Sequence, residues 1–489
     1  MAAEAKASPP LCTRCREHDG VLDLRSDAVC PTCFATFVAS KAVKRLEVLQ
    51  RETRGPRLPS RPQRYLVALS RGPSSAALLH VLTENARRQR EQNQRPKFEL
   101  VPVFVDLDLD GEGRTATTSD AAPPPPLRSG ADSATGVEGG EKEKDTQPHG
   151  QDPPVDPFVA HFPDTPIDRV SLSSIFSSPG IDWSALPLEG DEGSDASSSS
   201  PSPPPRRLAG LLSRLPTASA RADVARLLTR HALLAAAAAR GCDVVLLGHS
   251  TTSLAELTLS EAAKGRGAGI PWLVNDGAFP LPRGTGMDPS SPPTDPTAAT
   301  EAEATASSSS SSSIHVYSPL REIFRKEIHT YLSIVRTAAG PLSDLFPDLS
   351  LSPHSSSSAP PSSSSSAAPV VSHRDLSLDD VVARYFVGVE ASYPSVVANV
   401  VRTTGKLSRT LAGAGAGAGN SDEDEEDGAR LCGLCGVRLD PRGDERWRGE
   451  IGEADAVGKD GDGDSDGDVL RNGRRRNRLC YGCERSIKG

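Results

Sequence analysis

The sequence predicts an α/β protein built on a parallel β-sheet with helices on both faces, a cysteine module at each end and long interrupting segments. Three observations lead to this fold class. Nearly continuous apolar runs, which are typical of strands buried on both faces, alternate with amphipathic helical patterns. Eight of the nine cysteines form four CxxC pairs. The intervening stretches, rich in Pro, Ser, Gly or acidic residues, bury too little apolar surface to offset the entropy lost on folding.

The first strand–helix–strand unit is the clearest part of this pattern. The runs RYLVALS (64–70) and FELVPVFVDLDL (98–109) are apolar and rich in β-formers, and a helical pattern spans 74–93 between them. Since such a unit places its two strands parallel, it predicts a parallel sheet. The later predicted elements are helices over 219–240, 252–264 and 321–335, strands at 243–249 and 314–320, and a helix over 376–411 kinked at Pro394.

Composition divides the 489 residues into folded units and interruptions. The predicted folded units are a cysteine module with a basic helix at 10–50, an α/β domain at 63–345, a helical segment at 375–411 and a second cysteine module with its own insertion at 429–489. The predicted interruptions are disordered insertions at about 111–163, 188–206 and 284–313, a disordered linker at 346–374 and an acidic linker at 412–428.

The paired cysteines have the spacing of zinc sites. Four tetrahedral thiolates suit Zn²⁺, and each CxxC turn supplies two sulfurs to one metal. In the second set 44 residues separate the pairs, but each doubling of a loop costs only about 0.6 kcal/mol, so the pairs can still meet. Both sites are expected to be structural; the alternatives are pairs that bind no metal or that cross between the modules. The sets are Cys12, Cys15, Cys30 and Cys33, and Cys432, Cys435, Cys480 and Cys483.

The turn after the first strand has the small residues of a phosphate-binding loop. Backbone N–H groups approach a pyrophosphate closely only where side chains are small and a helix begins behind them. The stretch SRGPSS resembles the SGGxDS loop of PP-loop ATP-pyrophosphatases, but Arg71 replaces a glycine and Ser74 replaces the acid. A plain strand–turn–helix junction is the alternative. The candidate loop residues are Ser70, Gly72, Ser74 and Ser75.

A second motif, GHSTTSLAELTL (248–259), resembles the GHNADDxAETxL stretch of the tRNA-thiolating PP-loop enzymes. Gly248 and His249 match that stretch and complete the set of candidate, vestigial nucleotide-binding residues. Thr251 and Thr252 lie in the segment that carries its two acids, and no acid occurs between His249 and Glu256. Both motifs therefore retain the residues of the scaffold and lack the carboxylates.

Six ordered stretches together carry a more specific resemblance: CTRCREHDG, ALSRGPSS, GHSTTSLAEL, RGAGIPWLV, SPLREIFRKEIHTYL and the closing CxxC pairs. In this order they resemble the cytoplasmic tRNA 2-thiolation protein 2 family, the non-catalytic subunits of the eukaryotic wobble-uridine thiolase. The resemblance implies a Rossmann-like sheet of the PP-loop type, a catalytic thiolase subunit as partner, and a cytoplasmic location. It also implies sulfur supply from a thiocarboxylated ubiquitin-related modifier and the lysine, glutamine and glutamate tRNAs as substrates.

The missing groups predict a chain that is not an enzyme by itself. Catalytic relatives use a cysteine near the position of Trp272, and here no cysteine occurs between Cys242 and Cys432. Loss of one preorganised electrostatic group commonly costs about 3 kcal/mol of barrier, so ATP binding is doubtful and independent sulfur transfer is not expected. The alternatives are an active ATP-dependent tRNA sulfurtransferase and a zinc-ribbon interaction protein.

Charge and hydropathy indicate further partners. The net charge is −9, yet basic residues cluster at 41–64 and in RNGRRRNR (471–478), beside the two cysteine modules. We expect Arg474, Arg475 and Arg476 to contact tRNA phosphates; solvated linkers without a partner are the alternative. The longest apolar run, 232–239, is too short to cross a membrane, so no membrane partner is expected.

Overall fold

The computed structural model describes residues 10–54, 61–107, 156–178, 180–188, 202–281, 313–347, 376–407, 431–437, 439 and 479–488. The linkers predicted at 412–428 and over most of 346–374 lie outside these ranges. Within the described ranges, no helix combines the length and the apolar character that a membrane crossing requires.

The N-terminal module is a β-hairpin followed by a long helix. Arg25 and Ser26, in the hairpin turn, have positive φ values of 54° and 81°, as in the tight turns that match the twist of paired strands. The Arg25 guanidinium donates a hydrogen bond of 2.7 Å to Glu327 of the α/β domain, so the turn anchors the module there. The elements are β1 (Leu22–Leu24), β2 (Asp27–Val29) and α1 (Pro31–Thr53).

A six-stranded sheet forms the centre of the α/β domain. Its five parallel strands lie in the spatial order third, second, first, fourth, fifth, counted along the chain, and one antiparallel strand closes an edge. This confirms the predicted Rossmann-like parallel sheet. The order reverses beside the first strand, where open sheets of this kind bind ligands. The strands are β3 (Gln63–Leu69), β4 (Phe98–Asp106), β5 (Asp168–Ser171), β6 (Val244–Leu246), β7 (Gly277–Pro280, antiparallel) and β8 (Ser313–Tyr317).

Helices cover both faces of the sheet. Successive side chains of β3 point to opposite faces: Tyr65 and Val67 pack in the core formed with α1, whereas Leu66 packs against Leu234 on the other side. The further helices are α2 (Pro73–Glu91), α3 (Pro157–His161), α4 (Pro204–Arg214), α5 (Ala218–Ala239), α6 (Thr251–Ala263), α7 (Ile270–Leu273), α8 (Arg325–Ile334), α9 (Leu378–Ser392), α10 (Pro394–Thr404) and α11 (Tyr481–Lys488), and a small hairpin joins β9 (Arg336–Thr337) to β10 (Gly340–Pro341).

Several elements lie inside or at the edges of the predicted insertions, or are too short to be predicted from the sequence pattern. Helix α3 lies inside the insertion predicted at about 111–163, where Asp156 caps its first turn and Phe158 is buried. Helix α4 begins inside the insertion predicted at 188–206, and β8 begins at Ser313, the last residue of the third predicted insertion. Strands β5 and β7 have only 4 residues each, too few to show a periodicity.

Candidate functional site

The structure brings the two candidate nucleotide motifs together at the carboxyl end of β3. The loop from Ser70 to Ser75 leads into α2, and Gly248 follows the neighbouring strand β6. A Cβ atom on Gly248 would lie 3.1 Å from the backbone nitrogen of Ser75, which is closer than most Cβ contacts, so glycine favours this approach. The predicted residues thus form one site, although 173 positions separate Ser75 from Gly248 in the chain.

Hydrogen bonds within the loop use groups that a phosphate would need. The backbone N–H of Gly72 donates to Ser70 Oγ at 3.3 Å, and the Ser75 hydroxyl donates to the Gly72 carbonyl at 2.9 Å. Pro73, at the start of α2, has no N–H. The loop therefore retains the shape of a phosphate cradle but presents fewer free donors to an anion.

Arg71 occupies the glycine position of the loop in a glycine-like conformation. Its φ is 58°, in the left-handed region that favours glycine. Its guanidinium forms an ion pair with Asp156 and lies 4.5 Å from the centre of the Phe104 ring. The side chain is thereby held at the carboxyl edge of β4, beside the candidate site. The sequence reading missed Asp156, although the Asp-Pro start of α3 is a helix-start signal that identifies it.

The two threonines in the middle of the second candidate motif are buried structural residues. Thr251 is 5 % exposed and its hydroxyl donates to the Arg321 carbonyl at 2.8 Å. Thr252 is fully buried; its hydroxyl donates to Glu390 Oε2 at 2.8 Å and accepts the Arg325 N–H at 3.1 Å. Neither hydroxyl is free for a ligand.

A carboxylate does reach this region, but from a different helix. Glu390, on α9, is 5 % exposed and accepts the backbone N–H of Lys326 at 2.9 Å as well as the Thr252 hydroxyl. Its negative charge lies at the N-terminus of α8, where the helix dipole stabilises it. No local sequence signal connects Glu390 with Thr252, because 138 positions separate them.

His249 is a neutral, half-buried residue at the edge of the site. Burial, together with the nearby cations Arg230 and Arg226, lowers its pKa to about 4. At physiological pH the imidazole is therefore uncharged and contributes no positive charge to the loop.

The N-terminal cysteines form a four-sulfur cluster. All four Sγ atoms lie within 4.8 Å of one another, and Cys15 and Cys30 Sγ are 3.8 Å apart. Tetrahedral zinc with bonds of about 2.3 Å places its sulfurs about 3.8 Å apart, so the cluster fits the ion. Hydrogen bonds from Glu17 and His18 lower the pKa of the Cys15 thiol to about 6, which favours the thiolate that binds metal.

The C-terminal cysteines form a second cluster of the same kind. All four Sγ atoms again lie within 4.8 Å, and Cys435 and Cys480 Sγ are 3.7 Å apart. The alternative of pairs crossing between the modules is therefore wrong. Arg266, which is 3 % exposed, points its guanidinium at Cys483 Sγ from 3.8 Å and adds a positive charge beside the thiolates.

A buried ion network attaches this second module to the α/β domain. Arg266 bonds Glu261 at 2.6 Å, and both side chains lie within 1 % of full burial. Asp223 pairs with Arg266 and accepts the Ser486 hydroxyl of α11 at 2.9 Å. Burial alone would raise the pKa of Asp223, but Arg266 and the neighbouring cations hold it below its usual value. The His231 ring donates to the Leu434 carbonyl at 2.7 Å and completes the attachment.

Comparisons with known proteins place this chain. A protein from Sclerotinia sclerotiorum named cytoplasmic tRNA 2-thiolation protein 2 is 32 % identical over 400 residues, which cover 82 % of this chain and 83 % of that protein. The chain belongs to the cytoplasmic tRNA 2-thiolation protein 2 family. A relative of the same name from Phaeosphaeria nodorum is 27 % identical and covers 98 % of this chain and 95 % of that protein. The family model described as cytoplasmic tRNA 2-thiolation protein 2 matches residues 377–485.

A solved structure is also similar. The U34-tRNA thiolase NcsA from Methanococcus maripaludis, solved with its 4Fe-4S cluster, matches with a TM-score of 0.41 and 13 % identity over 87 % of this chain and 95 % of that one. The family resemblance predicted from the sequence is confirmed by the curated relatives.

In this member of the cytoplasmic tRNA 2-thiolation protein 2 family, no thiol accompanies the candidate loop. All nine cysteines are described, and eight of them form the two clusters. The ninth, Cys242, is 9 % exposed between α5 and β6, where burial raises the pKa of its thiol. Trp272 lies in α7, and its carbonyl accepts the Arg230 guanidinium at 3.2 Å.

The basic residues predicted to contact tRNA fall into two groups. Arg474, Arg475 and Arg476 lie outside the described residues. Within the segment 41–64, four basic residues form ion pairs with acids of the α/β domain, so this segment joins the N-terminal module to the sheet. These pairs are Lys41 with Glu322, Arg45 with Asp276, Arg61 with Asp243, and Arg64 with Glu99.

Proposed function

We propose that this chain is the non-catalytic subunit of a heteromeric tRNA thiolase that 2-thiolates the wobble uridine of lysine, glutamine and glutamate tRNAs in the cytoplasm. One observation carries the proposal. The chain retains the scaffold of a nucleotide-binding loop, but the side chains at its reactive positions form structural contacts within the protein. The names of the relatives support the reaction and the cytoplasmic location.

The absence of independent catalysis follows from the chemistry of the loop. ATP cleavage requires preorganised charge around the phosphates, and each missing group costs about 3 kcal/mol of barrier. Here Arg71 binds Asp156, and Thr252 binds Glu390, so these side chains are committed to the protein. Ser74 offers no carboxylate for a metal ion. We therefore assign adenylation and sulfur transfer to a catalytic partner subunit, with sulfur supplied by a thiocarboxylated ubiquitin-related modifier.

We assign a structural zinc ion to each cysteine cluster. Four thiolates fill the coordination sphere of zinc and leave no position for a substrate, and the distances between the sulfurs fit tetrahedral coordination. The zinc ions would stabilise the fold of the two terminal modules. They would thereby also stabilise the surfaces that these modules form.

Co-purification with the catalytic subunit tests this function. Thiolation of a lysine tRNA transcript should occur with the pair and should be absent with this chain alone. The chain alone should also release no pyrophosphate from ATP and magnesium. Turnover by the isolated chain would establish the alternative, an active ATP-dependent sulfurtransferase. Full activity of the catalytic subunit without this chain would contradict its proposed role as a required subunit.

A further inference from the structure

A cavity of about 380 Å³ opens beside the C-terminal half of α2, away from the nucleotide loop. Its walls are α2, the start of β4, the loop after α3, and the β9–β10 hairpin. The part of α2 that lines the cavity runs from His80 to Arg90, so at about 1.5 Å per residue it lies roughly 10–26 Å along the helix from the loop before Pro73. The cavity is therefore a site separate from the loop.

Two buried histidines line the interior. His80 Nδ1 lies 2.8 Å from the Tyr331 hydroxyl, and His161 Nδ1 lies 2.7 Å from Thr337 Oγ1. The two residues are 9 % and 8 % exposed, and the Nε2 atom of each makes no hydrogen bond with the described residues. Burial lowers the pKa of His80, so its ring is neutral and can donate or accept a single hydrogen bond to a ligand.

Apolar residues form part of the remaining lining, beside polar side chains such as Thr83, Gln89 and Asp164. Phe98, Phe162 and three prolines contribute to the wall, and the small side chain of Ala338 lies exposed at the mouth. An apolar wall with a few polar groups that fix orientation is typical of pockets that receive an organic ring. A volume of about 380 Å³ is large enough for one nucleotide.

The rim of the cavity is cationic. Five basic residues on the walls or beside them in the chain are exposed and make no ion pair within the part of the chain that the structure describes, and two of them, Arg90 and Arg336, line the cavity itself. The acids Glu84 and Glu91 both pair with Arg87, and Asp164 is an exposed acid of the lining. The α2 dipole favours cations in its last turn. That explains Arg88 and Arg90 but not the three that lie beyond the helix. The five are Arg88, Arg90, Arg95, Lys97 and Arg336.

We propose that this cavity and its cationic rim bind the tRNA backbone, with one nucleotide in the cavity and the flanking phosphates on the rim. The inference rests on the proposed function, which supplies the RNA, and adds where the RNA is held. Guanidinium groups bind phosphate oxygens irrespective of sequence, and an apolar wall accepts any base. A contact roughly 10–26 Å along α2 from the loop would hold a part of the tRNA other than the reacting base.

Equilibrium binding of a full-length tRNA transcript to the full chain, measured by fluorescence anisotropy over a salt series, tests the rim. The triple variant Arg90→Glu, Lys97→Glu and Arg336→Glu should bind at least about tenfold more weakly at 100 mM salt. The slope of log affinity against log salt concentration should decrease in magnitude by about two, because each lost phosphate contact removes about 0.7–0.9 from that slope.

The matched control reverses three exposed cations on α9, on α10 and just after α10: Arg384→Glu, Arg402→Glu and Lys406→Glu. It changes the net charge by the same amount and should bind tRNA within about twofold of the wild type, because these residues lie outside the proposed contact. An equal loss in both triple variants would mean that only the overall charge matters, and would overturn the inference.

The variant Ala338→Trp tests the cavity. A large ring at the mouth should exclude the nucleotide and weaken binding about three- to tenfold without changing the salt slope, because no charge is altered. Thermal melting and zinc content equal to the wild type would show that each variant is folded. Wild-type affinity in both the rim triple variant and Ala338→Trp, or displacement of the tRNA by micromolar AMP, would overturn the inference while leaving the proposed function intact. If the wild type binds no tRNA, the tRNA contact of the proposed function fails as well.

Discussion

Arg71 shows at the scale of one residue how the loop kept its backbone and changed its chemistry. The positive φ of 58° is a conformation in which a side chain costs roughly 1–2 kcal/mol relative to glycine. The ion pair with Asp156 and the contact with Phe104 offset part of that cost. The left-handed conformation of Arg71 is therefore stabilised by a contact with a residue that lies 85 positions away in the chain.

The substitutions Arg71→Gly and Arg71→Ala separate these two effects. Both remove the ion pair, but glycine also removes the backbone strain. Arg71→Gly should therefore be more stable to urea than Arg71→Ala by about 1 kcal/mol. Equal stability of the two variants would mean that the left-handed conformation is not the one adopted. Neither variant should release pyrophosphate, because the carboxylates remain absent.

Thr252 illustrates why restoring one acid does not restore a site. Thr252→Asp would place a carboxylate against Glu390 in a buried position, and two adjacent buried carboxylates cannot both ionise cheaply. We expect a loss of roughly 3 kcal/mol in the free energy of unfolding at pH 7, measured with urea. The control is Thr252→Asn, whose side chain is neutral and similar in size to aspartate. Its free energy of unfolding should decrease by less. A stable aspartate variant would contradict the burial of Glu390.

At the scale of elements, the two cysteine modules are packed onto the α/β domain differently. The N-terminal module includes α1, and the apolar side chains of α1 form part of the main core. In the second module α11 is joined to the first CxxC pair by a long segment, and within the described residues it is held by the cluster and by the network around Asp223 and Arg266. Loss of metal should therefore affect the second module more.

Metal analysis checks the two centres. The wild type should contain two zinc ions per chain, Cys435→Ser about one, and Cys242→Ser two, because Cys242 lies in neither cluster. Iron in either cluster, or a loss of zinc in Cys242→Ser, would contradict the assignment.

Chelation of the zinc should raise hydrogen exchange in residues 481–488 first, since their attachment depends on the second cluster. Strand β3 should remain protected under the same conditions, because it lies in the centre of the sheet. Simultaneous loss of protection in β3 and α11 would show that the modules and the domain unfold as one unit.

At the scale of the whole molecule, buried neutral histidines make the fold sensitive to acid. The pKa of His249 is lowered to about 4 and that of His80 is also lowered, chiefly because both rings are buried. In the unfolded chain a histidine binds a proton below pH about 6.5. The unfolded state therefore binds more protons between pH 6.5 and 4, and acid in that range favours unfolding.

We expect the free energy of unfolding to be constant above pH 7 and to fall as the pH decreases from about 6.5 to 4. Urea titrations at each pH, with zinc content measured in parallel, check this. His249→Asn removes one titrating group and should make the fall shallower. An unchanged pH dependence in that variant would mean that His249 is protonated as easily in the folded chain as in the unfolded one.

The sequence alone determined the parallel sheet, its main helices and both CxxC clusters, because buried strands, amphipathic helices and paired cysteines leave local patterns. Only the tertiary structure decided what those elements contact. It showed that Arg71 binds Asp156, that Glu390 reaches Thr252, and that a cationic rim surrounds a cavity at the far end of α2. Such contacts join residues tens to hundreds of positions apart, and their energy depends on distance and burial in space, which a local pattern does not record.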